Sequence, residues 1–389
     1  MSNILILGAG TQAFAILHSL HRTGNRLVML VRETGNYGDV SRFLDEKIQT
    51  QYSYDSQEYL VSVKTIIKEK QIDAVIPMGD ASAEFLSRHK GELQPLTHFK
   101  MPSYENFMNG YDKNKLMKLC REKGYPHPFT VDLSETTFDD VSNFKDFPFP
   151  GILKPNCTTG GRGMCLVSCH DDLMKVYPGI KAEYGECHLQ QFIREGGSQV
   201  KLQLYVSESG ELLQSSAMEK VRWYPVKGGS SCCSVTVRKP EMVEICHQIL
   251  KDIHWVGFAD FDCIGNPDTG ELLIMEINPR LPACIGAAVN AGVDWGQIIV
   301  DDYLGKPQKQ YHFEEGVALR HLGFDLLWFI KSPSRWKTKP SWFKFFGRKV
   351  TYQDFHFCDQ KPFWVGTCHN IKKLFNPEFK KAKSSTLAT

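Results

Sequence analysis

At 389 residues, with 42% hydrophobic and 23% charged side chains, the chain has the composition of a soluble globular protein too long for one ordinary core. Its 46 basic and 44 acidic residues leave a net charge of +2, a balance with no field that would call for a nucleic-acid partner. Met1-Ser2-Asn3 enters an apolar strand without a targeting pattern, and no stretch reaches the roughly 18 apolar residues of a membrane span. The twelve cysteines are irregularly placed, with Cys232 and Cys233 adjacent and no C-x-x-C pair. They read as small apolar residues of a cytoplasmic protein rather than as disulfides or a zinc site.

In chain order, residues 3–7 are a short apolar run that Gly8-Ala9-Gly10 ends, and a helical pattern follows through Leu17 and Leu20. Residues 27–31 read as a strand, 57–70 as a helix, 74–77 as a strand and 80–90 as a helix. Strands separated by helices predict an α/β domain with a parallel, doubly wound sheet. Residues 113–123 are helical, with Leu116 and Leu119 on one face. A strand at 151–154 leads into a glycine-rich loop and a strand at 164–167. Residues 200–207 alternate like a half-buried strand. Strands near 212–219, 232–238, 257–264 and 271–277, with a helix at 241–252, follow before Pro307. The remaining residues are rich in Trp, Phe, Lys and Arg (RWKTKPSWFKFFGRK) and end in the polar KKAKSSTLAT. They read as an appendage packing its aromatics on the main body, with a membrane surface or a partner as the secondary reading.

Three segments carry the chemistry, and a fourth supports them. Gly8-Ala9-Gly10-Thr11-Gln12-Ala13 fits a dinucleotide fingerprint between strand and helix, although a tight turn without a ligand explains it equally well. Lys154-Pro155-Asn156-Cys157-Thr158-Thr159-Gly160-Gly161-Arg162-Gly163 places a cation at a strand end before a loop whose glycines let backbone N–H groups approach a polyphosphate. The most specific segment runs from Phe261 through Asn266–Gly270 to Glu276-Ile277-Asn278-Pro279-Arg280. Glu276 and Asn278 leave one face of a strand, and Asp262 joins them from its neighbour, a set of oxygen donors suited to Mg²⁺. An acidic strand flanked by LLIM would otherwise bury carboxylates without compensation. Finally, Lys220 and Arg222 share a strand face before a Gly228-Gly229 turn that could fold over a site, and Arg222 can grip a carboxylate bidentately.

Taken in order, Lys115, the Lys154 loop, Gln190-Gln191-Phe192-Ile193 and Asp262…Glu276-Ile277-Asn278-Pro279-Arg280 resemble the ATP-grasp superfamily. The nearest echoes are the carbamoyl phosphate synthase large subunit, uncharacterised ligases similar to it, and D-aspartate ligase. The likeness covers residues 1 to about 306. It implies a Rossmann-like pre-ATP-grasp domain at 1–110 and a two-lobed α+β ATP-grasp domain, with a small lobe at 111–205 and a metal-binding lobe at 206–306. Residues 307–389 are then the appendage.

The resemblance also implies roles. Lys115 and Lys154 would hold ATP phosphates under a loop containing Thr159, Gly160, Gly161 and Gly163. Gln190 to Ile193 would form the hinge, with the backbone of Phe192 and Ile193 reading adenine and Gln199 facing the ribose. Asp262, Glu276 and Asn278 would bind two Mg²⁺ (or Mn²⁺) ions. Arg280 would stabilise an acyl phosphate, assisted by Arg222 and Lys220, and the Gly8–Gly10 turn would lie near the substrate. Gln190 and Gln199 stand where many relatives carry Glu, and Asp262 stands where carbamoyl phosphate synthase has Gln.

The expected activity is ATP-dependent ligation of a small-molecule carboxylate to an amine through an acyl phosphate. Alternatives are a carbamoyl-phosphate-forming enzyme, an NAD-binding oxidoreductase and a non-catalytic nucleotide-binding module. No nucleic-acid partner is expected, and homodimerisation is left open.

Overall fold

A computed structural model describes residues 1–135, 144–226 and 230–375. The Gly228-Gly229 turn and the polar C-terminal tail lie outside the described residues. In chain order the first strands are β1 (Asn3–Leu7), β2 (Arg26–Val31), β3 (Glu46–Gln49), β4 (Ala74–Pro77) and β5 (Thr130–Asp132). Next come β6 (Gly151–Pro155), β7 (Cys165–Val167), β8 (Cys187–Gln191), β9 (Gln199–Val206) and β10 (Leu212–Tyr224). The last are β11 (Ser230–Val237), β12 (Gly257–Gly265), β13 (Leu272–Asn278), β14 (Ala318–Arg320) and β15 (Val350–Tyr352). The chain divides into two compact units. One comprises Met1–Phe107, Val200–Asp260 and Asn278–Asn370; the other comprises Met108–Gln199, Phe261–Ile277 and Ile371–Thr389.

The first unit contains a parallel sheet of order β3-β2-β1-β4, with Ile4 opposite both Leu27 and Ala74. Residues 4–7 and 27–31 are buried, which explains why these strands read as unbroken apolar runs. The sequence reading missed β3, because its edge sequence EKIQ alternates charged and apolar residues. The helix Thr11–Arg22 starts at Gly10, and the preceding Gly8 has φ +119°, a conformation that favours glycine.

A second sheet in this unit runs β12-β9-β10-β11-β14-β15, β12 entering with its first residues. The strand expected at 212–219 extends to Tyr224, because its far end pairs with β11. Register shifts fall between Lys220 and Arg222 and between Arg222 and Trp223, which breaks the simple alternation expected there. The segment after Pro307 supplies β14 and β15 to this sheet.

The second unit holds an antiparallel sheet of order β5-β8-β6-β7. Leu153, Leu189 and Val167 share a core with Leu173 and Tyr177 of the helix His170–Tyr184. Each leucine so buried contributes about 1.5–3 kcal/mol. That helix escaped the sequence reading, since Pro178-Gly179 interrupts its apolar pattern. Gly151 is held to glycine by packing: a Cβ there would lie 2.7 Å from Phe147 and 2.9 Å from Leu189. The strand period of two puts Thr130, Gln190, Lys154 and His188 on the sheet's other face.

All twelve cysteines are free; seven are buried, and Cys157, Cys169, Cys358 and Cys368 are exposed.

Candidate active site

In the second unit, the polar face of the sheet gathers a buried cationic cluster. Lys154 on β6 is buried and donates to Gln190 Oε1 on β8, while Gln190 Nε2 donates to Thr130 Oγ1 at 3.2 Å. Burial lowers the Lys154 pKa to about 8; the Glu276 carboxylate opposes that shift and Lys113 reinforces it. His188 sits opposite Lys154 across the strands, with Nδ1 2.9 Å from Asn156 Oδ1. Its imidazole is held well below the usual range by burial, then by Lys154 and Lys113. His188 Nε2 has no hydrogen-bond partner among the described residues.

The helix Lys113–Lys123 begins where Asp112 Oδ1 accepts from the backbone N–H groups of Asn114 and Lys115. Lys115, the residue expected to hold phosphate, is exposed on this helix. Lys113 points inward instead: its Nζ donates to the Thr158 carbonyl at 2.6 Å and lies 3.4 Å from Glu276 Oε2. Two residues of an α-helix are about 200° apart around its axis, so only one of the two lysines can face the cluster. Residues 113, 116, 117 and 120 form the inward stripe, a pattern that could have singled out Lys113.

Gly160, Gly161 and Gly163 have φ of +68°, +75° and +73°. The loop is braced by Thr158 Oγ1 donating to the Arg162 carbonyl at 3.0 Å and by Arg162 Nε donating to the Thr159 carbonyl at 3.3 Å. At the hinge, the Phe192 N–H donates to the Pro150 carbonyl at 3.1 Å. The Phe192 N–H is thus already engaged within the protein, while the expectation concerned backbone groups of Phe192 and Ile193 together. Gln199 opens β9 and is half-buried.

The expected turn between β12 and β13 is present: the Asn266 N–H donates to the Glu271 carbonyl and the Gly270 N–H to the Asn266 carbonyl, both at 2.8 Å. Asp262 and Glu276, both half-buried, belong to the second unit. Among the described residues no group of three or more His, Cys, Asp and Glu side chains forms a metal-binding set.

In the first unit, Asn278 Nδ2 lies 3.3 Å from Asp260 Oδ2, and Arg280 Nη2 lies 3.5 Å from Asn278 Oδ1. Asp260 is fully buried and accepts from Lys201 Nζ and Gln203 Nε2, each at 2.7 Å. The sequence reading passed over Asp260, although it lies two residues before Asp262 on the same strand. Its two strong donors fix the carboxylate that orients Asn278. Arg280 Nε is 3.3 Å from Asp80 Oδ2.

Arg222 does not have the role expected of it. Its Nε and Nη2 donate to the two Asp325 oxygens at 2.7 and 3.0 Å, and its Nη1 to the Pro340 carbonyl at 2.9 Å. The guanidinium is buried, with its fork already filled, so it has no surface on which to grip a substrate. Lys220, beyond the register shift, is half-buried. At the Gly8–Gly10 turn the Gln12 side chain folds back to the Met78 carbonyl and occupies the space over Gly10. A cavity of about 340 Å³ beside Gly8 is lined by Arg32, Glu33, Asn36 and Tyr54, among others.

The chain is similar to several known proteins. Residues 112–291 match the family "Carbamoyl-phosphate synthase L chain, ATP binding domain". Over 292 residues the chain is 23% identical to the carbamoyl phosphate synthase large chain, C-terminal section, of Methanopyrus kandleri, a match covering 71% of this chain and 53% of that protein. It is 25% identical over 244 residues to D-aspartate ligase of Enterococcus faecium, covering 57% of this chain and 58% of the ligase. The chain therefore spans little more than half the length of these two curated relatives. Its mixed α/β fold is shared with biotin carboxylase of Campylobacter jejuni, solved as a β,γ-ATP complex: TM-score 0.65, 17% identity, covering 80% of this chain and 73% of that one.

Proposed function

We propose, from the match of residues 112–291 to the carbamoyl-phosphate synthase large-chain ATP-binding domain, that this chain is an ATP-grasp ligase joining a small-molecule carboxylate to an amine. ADP and phosphate are the co-products. The reading organises the chain as a Rossmann-like domain at 1–110, ATP-grasp lobes at 111–205 and 206–306, and a C-terminal segment at 307–389. A cytoplasmic location goes with this reading. Among the described residues no helix is long and apolar enough to cross a membrane.

The observation that carries the proposal is the convergence of Lys154, Lys113 and Glu276 beside a loop of positive-φ glycines. A lysine buried at an energetic cost and hydrogen-bonded to a neutral amide suits an anion that arrives from outside. Lys154 and Lys113 would bind phosphate oxygens, with the exposed Lys115 at the margin. Thr159, Gly160, Gly161 and Gly163 would supply backbone N–H groups. Gln190, the Phe192 carbonyl, Ile193 and Gln199 would hold the nucleoside. By the resemblance, Asp262, Glu276 and Asn278 would hold Mg²⁺ or Mn²⁺, which would neutralise phosphate charge when bound.

A substrate carboxylate and a terminal phosphate repel by about 4 kcal/mol at a separation of roughly 4 Å and an effective dielectric near 20. Lys113, Lys154 and Arg280 oppose that repulsion. Arg280 is set to stabilise the acyl phosphate, which the amine then captures with loss of phosphate. Arg222 contributes to the framework and Lys220 remains a candidate at the substrate side.

The test is phosphate release from Mg-ATP in the presence of pooled carboxylates and amines, with products identified by mass spectrometry. Phosphate release that depends on both pools supports a ligase. ATP binding without product supports the nucleotide-binding module, and bicarbonate-dependent turnover supports the carbamoyl-phosphate reading. An NAD-dependent oxidoreductase would show no dependence on ATP.

A further inference from the structure

The aromatic residues of the C-terminal segment were expected to pack on the main body. Some do: Trp328 is buried, and Trp342 stacks on Phe329 at 4.0 Å between ring centroids. Others do not. Trp336 is 70% exposed, Phe343 56% and Phe346 80%, while Leu326 and Ile330, one turn apart on the helix Leu322–Lys331, are also exposed. Two of them adjoin: Trp336 stacks on Phe343 at 5.7 Å, and both rings contact Phe329.

The segment is not loose chain. Arg222 Nη1 donates to the Pro340 carbonyl, Arg320 Nη1 to the Lys344 carbonyl at 2.9 Å, and Trp342 Nε1 to the Asp325 carbonyl at 3.1 Å. The buried ion pairs of Arg222 and Arg320 thus brace a surface that presents its apolar side chains to water. Residues 331–349 contain Lys331, Arg335, Lys337, Lys339, Lys344, Arg348 and Lys349, and no acidic residue. Arg348 and Lys349 lie against Glu314. Lys331, Lys337, Lys339 and Lys344 make no ion pair among the described residues.

We propose that this segment, with exposed Leu326, Ile330, Trp336, Phe343 and Phe346 interspersed with exposed Lys331, Lys337, Lys339 and Lys344, docks the protein on the anionic headgroup layer of a membrane. Trp and Phe partition into the interface between headgroups and acyl chains, while lysines extend past them to lipid phosphates and carboxylates. Charge argues against the other occupants. A second copy meeting this patch across a two-fold axis would set one cluster of like charges against another. For a single-stranded nucleic acid the pair Trp336 and Phe343 offers fewer free ring faces, because the two stack on each other. The aliphatic Leu326 and Ile330 suit acyl chains and offer a nucleobase no stacking partner.

The test uses the full chain in vesicle co-sedimentation, with phosphatidylcholine alone or phosphatidylcholine containing one third phosphatidylserine. Two variants are compared, Lys337→Gln/Lys339→Gln/Lys344→Gln and Trp336→Ser/Phe346→Ser. All five positions are exposed, so circular dichroism and Mg-ATP binding should match the unaltered protein.

The expected result is sedimentation with the anionic vesicles only. The triple lysine variant should weaken it by roughly a hundredfold, since each basic residue near such a surface is worth about a factor of five. The aromatic variant should abolish binding at raised salt, where charge is screened. Three outcomes would overturn the proposal: no vesicle binding at low ionic strength, vesicle binding that neither variant changes, or retention by an oligonucleotide or self-association that both variants abolish while vesicles are ignored.

Discussion

Lys154 and Gln190 meet across neighbouring strands of one sheet, the ammonium donating to the amide oxygen with both side chains buried. A cation so placed is less protonated than usual, its pKa brought down to about 8. Below pH 8 it is charged in both the folded and unfolded states, and the folded protein carries the full burial cost. Between pH 8 and the unfolded value of 10.5 the unfolded chain holds the proton that the folded one has lost. Stability from this group therefore rises with pH across that window, by an amount of order 3 kcal/mol.

Nucleotide-free Lys154→Met should accordingly be more stable than the unaltered protein below pH 8, with the difference shrinking towards pH 10.5. Urea titrations at several pH values check this; a constant gap would contradict it. Polyphosphate binding should restore the proton, visible as proton uptake near pH 9 in calorimetry with two buffers of different ionisation enthalpy.

Glu276→Gln should lower ATP-dependent phosphate release by several orders of magnitude while the melting temperature changes little. The Glu276 side chain is partly exposed and bonded to one half-buried lysine, so its charge matters more to a bound cation than to the fold. Full activity in this variant would remove the carboxylate from the metal site.

Lys113 and Lys115 can be separated directly. Lys113→Met should weaken Mg-ATP binding by about ten- to a hundredfold, the worth of a hydrogen bond to a charged group. Lys115→Met should have little effect, because its side chain faces solvent. Equilibrium binding of a fluorescent nucleotide would reveal a reversed order, which would restore Lys115 as the phosphate ligand.

Substitution in the glycine loop should be graded. A Cβ on Gly163 would meet the Pro155 ring and the Tyr184 ring at 2.8 Å, on top of a φ of +73°. Gly160, with φ +68°, has open space around it. Gly163→Ala should therefore raise the KM for ATP and lower the melting temperature, whereas Gly160→Ala carries only the backbone penalty of roughly 1 kcal/mol. Equal effects at the two positions would rule out the packing explanation.

Asp325 accepts from both Arg222 and Arg320, at 2.7 and 2.6 Å from their Nε atoms. Asp325→Ala strands two buried cations and should destabilise by about 3–5 kcal/mol, with Arg222→Met milder because the Arg320 pair remains. Chemical denaturation should rank them in that order.

Much of the fold was readable from pattern. Residues 4–7, 27–31 and 74–77 are apolar without interruption because the parallel sheet buries both faces, and the helix at 113–123 was located to the residue. Edge strand β3 and the helix with Pro178 were not readable, since partners distant in sequence hold them against local preference. At the site, residue type and order pointed to Lys154, Glu276 and Asn278, but not to which way each side chain would turn. Lys113 rather than Lys115 faces inward because of helical phase. Arg222 is lost to a substrate because Asp325, more than a hundred residues away, meets it in the core. Neither fact can be read from neighbouring letters.

The first unit is assembled from three separated stretches, the last ending at Asn370, whereas the second draws its two sheet-forming stretches from residues up to Ile277. On a ribosome adding roughly 5–20 residues per second, the chain that emerges first waits several seconds longer for its final pieces than the middle of the protein does. Through that interval the nascent β1–β4 layer lacks the Asp359 carboxylate that accepts from Ser41 and Arg42. Slower translation of the stretch between Ile277 and Asp359 would prolong that exposure of the β1–β4 layer.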